Sequence, residues 1–430
     1  MCSKESEITT AVYKERFLIQ ILYILLEFTI TFQWIQYSIV PGAIKQLYKV
    51  DAVAVNWTTS VWYLSYVIAI LPFAFFIKKT GLRSTVIYGS LLNLLGTVLK
   101  CFSVEEDKFW LTMCGQTLAS LSGVLVYSIP TELTATWFPL NEVSTATSTS
   151  LAASLLGTAI GFLVPPFMIE NLSNQECIKY GLLRIFIGQA IVSLIIFILI
   201  LIFFKDKPEL PPSVAQLKVD QSEKVPTYCS TLKTLSKNRT FVILFVAFGL
   251  VKGINDALQS NLGEIISLRF SSHNRIAGIF GLMSMIAAVP GSLLFGYVMD
   301  KTHKHKLLIL ITFVFTLICL IAFSLFLQFQ YVWCFAYVLL VNGFFAGGIL
   351  PLGFEFAAEV TYPIAPTITA GLLHTSYHFF GYIYNIIYAF IMQNYGYMYA
   401  NYIFVSSIAV ALLSSFLIQS SLKRQEANIV

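Results

Sequence analysis

Charge is what this sequence has least of. Asp, Glu, Lys and Arg make up 11% of its 430 residues, against about 25% in soluble domains. So few charges cannot clothe a water-facing surface, which excludes a soluble multidomain architecture. Disordered, coiled-coil, collagen-like and disulfide-scaffold classes fall with it, because each needs a polar, periodic or cysteine-dense composition. The seven cysteines are scattered and form no Cys-x-x-Cys pair, so no metal or redox centre is expected. Walker A, Gly-x-Ser-x-Gly and His-Glu-x-x-His patterns are also missing; direct ATP drive and hydrolysis are not expected, and the chain does not read as an enzyme. The net charge of +5 is not interleaved with any groove-reading motif, so nucleic acid is not an expected partner.

Hydrophobic residues are plentiful, at 57% with mean hydropathy +0.76. Apolar runs of the ~20 residues needed to cross a ~30 Å hydrocarbon layer recur along the whole chain. Twelve are expected, at 17–40, 57–77, 85–102, 109–130, 143–169 and 179–204, then 239–266, 275–299, 307–328, 331–356, 366–392 and 398–421. Lipid cannot satisfy open backbone groups, so these runs are helices of an all-α membrane protein. The long polar segment 205–238 divides them into two six-helix halves, 17–204 and 239–421, with polar ends at 1–16 and 422–430. Residues 1–16 carry charges without an apolar core, so no cleavable signal peptide is expected.

Eighteen Lys and Arg fall on one side of this layout and eight on the other, with Lys252 inside a span. The positive-inside rule then places both termini in the cytoplasm of a multi-pass protein, with the plasma membrane as its expected location. Asn171-Leu172-Ser173 lies in an outer loop and is the candidate glycosylation site; Asn56-Trp57-Thr58 abuts a span and reads as unmodified. Cys101 and Cys177 fall near the same outer face, where a disulfide between them is an open expectation. The lipid bilayer is the expected environment, the chain reads as a monomer, and no cofactor is expected.

Two halves joined by a basic loop suit alternating access. The loops after the second and eighth spans, Lys78-Lys79-Thr80-Gly81-Leu82-Arg83 and Asp300-Lys301-Thr302-His303-Lys304, resemble the major facilitator loop motif, with Lys78 where that motif has an acid. Ionisable side chains are costly inside a membrane and turn toward partners or water. Helical spacing gathers Glu27, Trp34 and Ser38 on one face of the first span, Lys252, Asp256 and Gln259 on one face of the seventh, and His374, His378 and Asn385 on one face of the eleventh. Trp34 and Asp256 come out at one depth, where an aromatic face and a carboxylate would hold an ammonium group. Packing for Trp34 and simple neutralisation of Lys252 for Asp256 are the rival readings. Glu27, Lys252 and Asp256 are candidates for an ion-pair network or proton relay. His374 and His378, four apart, are candidates for a haem ligand, a proton-coupling pair or packing; two imidazoles do not make a zinc site. Glu355 and Glu359, which end the tenth span, read as cytoplasmic anchors.

Phe32-Gln33-Trp34-Ile35-Gln36-Tyr37-Ser38-Ile39, Ala135-Thr136-Trp137-Phe138, Glu142-Val143-Ser144-Thr145-Ala146, Gly157-Thr158-Ala159-Ile160-Gly161-Phe162-Leu163 and Gly353-Phe354-Glu355-Phe356-Ala357-Ala358-Glu359-Val360-Thr361-Tyr362-Pro363 resemble the feline leukaemia virus subgroup C receptor family. The resemblance covers residues 17–421 and implies a major facilitator fold and facilitative transport of haem, choline or ethanolamine. The family's choline pocket uses a tryptophan matched by Trp34; Asp256 stands at its tyrosine position, and Gly123 and His378 stand at its two glutamine positions. The preferred solute is therefore a small amine or choline-like cation bound by Trp34, Asp256 and His378. Haem held by His374 or His378 is the rival, and a receptor or scaffold without transport is the alternative from another class.

Overall fold

The computed structural model describes residues 11–139, 142–169, 174–212, 228–269, 274–329, 332–362, 364 and 366–418. Asn171 and residues 422–430 lie outside them. In chain order the helices are α1 Glu15–Ile35, α2 Pro41–Tyr48, α3 Ala52–Cys101, α4 Phe109–Tyr127, α5 Pro130–Trp137, α6 Val143–Met168 and α7 Gln175–Phe203. They continue with α8 Tyr228–Lys237, α9 Arg239–Arg269, α10 Asn274–Thr302, α11 His305–Phe329, α12 Val332–Thr361, α13 Pro366–Tyr395 and α14 Tyr397–Phe416. Eleven helical segments among the described residues are long and apolar enough to span a membrane. The twelfth expected span, 366–392, is α13. It is long enough at 30 residues but does not join the eleven, because His374, His378, Asn385, Asn394 and five tyrosines dilute its apolar character.

Two of those spans share α3. Gly81 takes φ 81° and ψ 176° inside that helix, so the chain turns there, at the start of the second of the two spans Ala52–Ile77 and Lys79–Cys101. Only glycine enters that region without strain. The carboxylate missing at Lys78 comes from the end of α7: Asp206 Oδ1 accepts the Arg83 backbone N–H at 2.9 Å and would stand 2.9 Å from a Cβ at Gly81. Short amphipathic helices α2, α5 and α8 were not among the expected spans, since none is long enough to cross lipid.

Apolar surface faces outward where lipid would lie, as in the exposed stripe Ile187, Ile191, Ile195, Ile198 and Ile202 of α7. Inside, glycines let helices touch. A Cβ at Gly157 of α6 would meet Phe28 O of α1 at 2.5 Å, and one at Gly253 of α9 would meet Gly381 N of α13 at 2.6 Å. Close approach of this kind is how helices pack when lipid removes the hydrophobic drive between them. The spans of α1 and α6 correspond to those of α9 and α13 if the halves repeat, so both halves use the same device.

Buried apolar residues divide unevenly. One cluster joins Ile35–Leu47, Phe162 and Ile178–Phe186 of the first half to the second half; another, from Ile19–Ile30 to Leu133–Phe138 and Ile196–Phe204, draws its buried members from the first half alone. The halves therefore share a core at the end of the bundle that carries α2 and keep separate cores toward the end that carries Gly81 and Asp206, here called the linker end. Cys101 and Cys177 are both free, and Cys101 Sγ donates to Thr97 O at 3.4 Å, so the disulfide expectation is not met. Glu359 is buried at 4% exposure inside α12, so it is not the solvated anchor expected; Glu355 is exposed.

Candidate functional site

Exposure along α9 marks the site. From Ala247 to Ile266 every residue is buried except Lys252 and Asp256, which stand four apart on one face. Trp34, near the end of α1, is the one residue not buried between Thr29 and Pro41, and it packs against both the core that the halves share and the separate core of the first half. Partial exposure of Trp34, Lys252 and Asp256 at such depth marks where contact between the halves is least filled, here called the cleft.

Aromatic rings, most of them buried, pack around these residues. Trp34 meets Tyr63 of α3 edge-to-face at 6.2 Å between centroids. Tyr63 continues to α9, its hydroxyl 3.0 Å from Ser260 Oγ, which in turn donates to Asp256 O at 2.9 Å. From α13, His378 stacks on Tyr66 at 4.2 Å and meets the tilted ring of Tyr377 at 4.3 Å. Neither ring nitrogen of His378 has a hydrogen-bond partner, although both are buried. His374 is partnered: its Nδ1 lies 2.9 Å from the Tyr377 hydroxyl. Lys252 Nζ forms an ion pair with Asp256 Oδ1 and stands 5.1 Å from the Tyr377 centroid.

Trp34, Lys252, Asp256, His374 and His378 thus converge. Glu27 does not join them. It is buried at 3% with Oε2 unpartnered, within electrostatic reach of Tyr23 and Tyr127 in its own half, so the expected Glu27–Lys252–Asp256 network is reduced to the pair on α9. Equal depth placed Glu27 and Lys252 level, but depth alone does not say which way a side chain turns. Gly123 is packed by aromatics; a Cβ there would meet Tyr127 and Trp62 at 3.1 and 3.3 Å. No three His, Cys, Asp or Glu among the described residues converge as a metal site.

Three asparagines close the cleft toward α2. Asn56 of α3 donates to Asn261 of α9 at 2.7 Å, Asn261 to Asn385 of α13 at 2.8 Å, and Asn385 back to Asn56 at 2.6 Å. Ser60 Oγ takes the second Asn385 proton at 2.8 Å. Lys45 of α2 pairs with Glu264 at 2.9 Å, and a Cβ at Gly263 would meet Ser38 O at 2.2 Å. Sequence spacing singled out Asn385 as part of a stripe, but not its partners, which lie 124 and 329 residues away in the chain. Tyr63, Tyr66 and Tyr377 were missed too; tyrosine is common in cores and at membrane surfaces, so its presence alone carries no signal.

The sequence profile of the Major Facilitator Superfamily matches residues 22–383. The chain belongs to that superfamily. Within it, the chain belongs to the feline leukaemia virus subgroup C receptor family. It is 35% identical to the rat choline/ethanolamine transporter FLVCR2 over 97% of this chain and 77% of that one. Mouse choline/ethanolamine transporter FLVCR1 is 34% identical, over 97% and 78% respectively. An uncharacterised MFS-type transporter of Caenorhabditis elegans, C09D4.1, is 33% identical over 100% of this chain and 73% of its own length. Among solved structures, a bacterial homologue of the human lysosomal transporter Spinster, inward-facing and unoccupied, superposes with TM-score 0.73 at 11% identity, covering 95% of this chain and 98% of that one. The Escherichia coli fucose:proton symporter FucP gives 0.64 at 15% identity, covering 95% and 100%. The chain is a Major Facilitator transporter.

Proposed function

We propose that this transporter carries a small organic ammonium solute of the choline and ethanolamine class, by alternate opening of the cleft at its two ends. The observation that carries the reading is Asp256, a partly exposed carboxylate in mid-span, linked to the partly exposed Trp34 through Ser260 and Tyr63 and to the Tyr377 ring through Lys252. A carboxylate supplies the counter-charge, and aromatic faces bind an ammonium without demanding hydrogen bonds. The named activity of the relatives points the same way. The unpartnered ring nitrogens of His378, buried beside the pair, are hydrogen-bonding capacity that a solute hydroxyl would use once the ring is uncovered.

We read the shared core at the α2 end and the separate cores toward the linker end as the inward-facing arrangement of a plasma-membrane carrier with cytoplasmic termini; the bias of basic residues toward the linker end supports that orientation. The protein acts as a monomer and performs no catalysis in this reading. The test is uptake of radiolabelled choline and of ethanolamine into proteoliposomes. Asp256→Asn lowers uptake about thirtyfold or more, the loss expected when a buried charged partner of a cation is removed, about 2 kcal/mol or more. Unchanged uptake in both Asp256→Asn and Trp34→Ala overturns the cation site, and accumulation of haem in place of either amine replaces it with the haem reading.

A further inference from the structure

An ammonium solute arriving at Asp256 finds an ammonium already there. Lys252 Nζ holds Asp256 Oδ1 and stands 5.1 Å from the Tyr377 centroid. A carboxylate and an aromatic face are the two partners a solute cation would take. The Lys252 and Asp256 side chains keep 16% and 14% of their surface exposed, so both reach the space a solute would enter.

The described charged and titratable groups around this pair offer it no alternative anion. On α9 the other carboxylate, Glu264, is paired with Lys45; from α13 come Tyr377, His374 and His378, the two histidines lying within reach of the Lys252 charge. From α3 comes Tyr63, which feels Asp256. Glu27 lies apart from the pair, within electrostatic reach of Tyr23 and Tyr127 in the first half. One carboxylate therefore serves two claimants. A bare carboxylate deep in a span is costly, and a lysine on a flexible four-carbon stem can cover it and withdraw without moving the helix.

We propose that Lys252 is a tethered occupant of the cation subsite, so that its ammonium and that of the solute exclude each other at Asp256. Loading the carrier turns Lys252 out of the carboxylate's reach. Unloading returns it, and the empty carrier crosses between its two openings with Asp256 neutralised. The proposal rests on the ammonium reading above and adds a specificity and coupling role for a residue of this chain.

The experiment compares Lys252→Gln, Lys252→Met and Lys252→Arg with the wild type in detergent and in proteoliposomes. Binding of labelled choline tightens by about tenfold or more in the Gln and Met variants, because a competitor worth one buried ion pair is gone. Arg keeps the charge and stays near the wild-type affinity. Net uptake into empty vesicles falls in the Gln and Met variants, since the empty carrier must now return with a bare carboxylate, while exchange of internal for external choline persists. Affinity that is unchanged or weaker in a monodisperse Gln or Met variant overturns the proposal, and so does a parallel loss of uptake and exchange. A wild type that binds neither choline nor ethanolamine sinks the ammonium reading itself, whereas wild-type binding with unaltered variants removes only the role of Lys252.

Discussion

In the proposed ammonium site, Trp34 and His378 would divide the recognition of a choline-like solute between them. The indole offers a face to the ammonium, worth about 0.5 to 2 kcal/mol; Trp34→Ala is thus expected to weaken choline binding about twofold to thirtyfold, and Trp34→Phe by less, as measured by equilibrium binding of labelled choline. His378 offers nitrogens. Both are buried and unpartnered between Tyr66 and Tyr377, and a hydrogen bond to a solute hydroxyl is worth about 0.5 to 1.5 kcal/mol. His378→Phe should therefore weaken choline about twofold to tenfold and leave tetramethylammonium, which has no hydroxyl, unaffected. Equal losses for both ions would show that the ring only packs. At this scale the sequence was legible where a side chain is out of place in lipid. Lys252, Asp256 and His378 announce themselves by their cost, and helical spacing aims them. Tyr63, Tyr66 and Tyr377 carry no such cost, and only their neighbours across the fold give them a role.

Elements are governed by glycine as much as by hydropathy. Gly157 and Gly161 on α6 face α1, and Gly249 and Gly253 on α9 face α13; each pair is spaced by four, and a Cβ at any of these positions comes within 2.7 Å of a neighbouring atom. Neither helix can widen the contact without repacking its half, so Gly253→Leu and Gly157→Leu are expected to cost at least the 1–3 kcal/mol of an overpacked core, on the order of the whole margin of a marginal bundle. Gly188→Leu, which meets nothing within 4 Å, is the contrast; the readout is the midpoint of thermal aggregation of purified protein. Comparable melting of all three would show the helices can slide apart. Gly81 makes a different demand. With φ 81° and ψ 176°, Gly81→Ala pays about 1–3 kcal/mol of backbone strain and crowds the Asp206 carboxylate that caps the following span. The apolar runs were legible because lipid imposes their length. The turn at Gly81 was not, since a glycine among basic residues reads the same whether the helix bends or simply stops.

At the scale of the whole molecule, the two halves meet through polar groups that no local pattern reveals. Asn56, Asn261 and Asn385 form a closed ring of amides in which each donates to the next, a geometry that exists only when α3, α9 and α13 are docked. Hydropathy found all three helices, and α13 even though its histidines, asparagines and tyrosines make it the least lipid-like; what it could not supply was the register between halves. The ring sits with Lys45–Glu264 and the Ser38–Gly263 contact at the α2 end. For a carrier this is the contact that must break when the cleft opens there. Interhelical hydrogen bonds in membrane bundles are worth about 0.6 kcal/mol each on average, and Asn385→Ala removes its bonds to Asn56, Ser60 and Asn261 together. The loss of roughly 1 to 2 kcal/mol shifts the balance between closed and open α2 ends by about fivefold to thirtyfold. Spin labels at Lys49→Cys and Leu268→Cys should then report a growing population of long distances in Asn385→Ala. Asn394→Ala, whose amide donates only along its own helix to Phe390 O at 2.8 Å, should leave the distribution as it was. An unchanged distribution in Asn385→Ala would show that the ring orders the interface without holding it shut, and that apolar packing between the halves carries the closure alone.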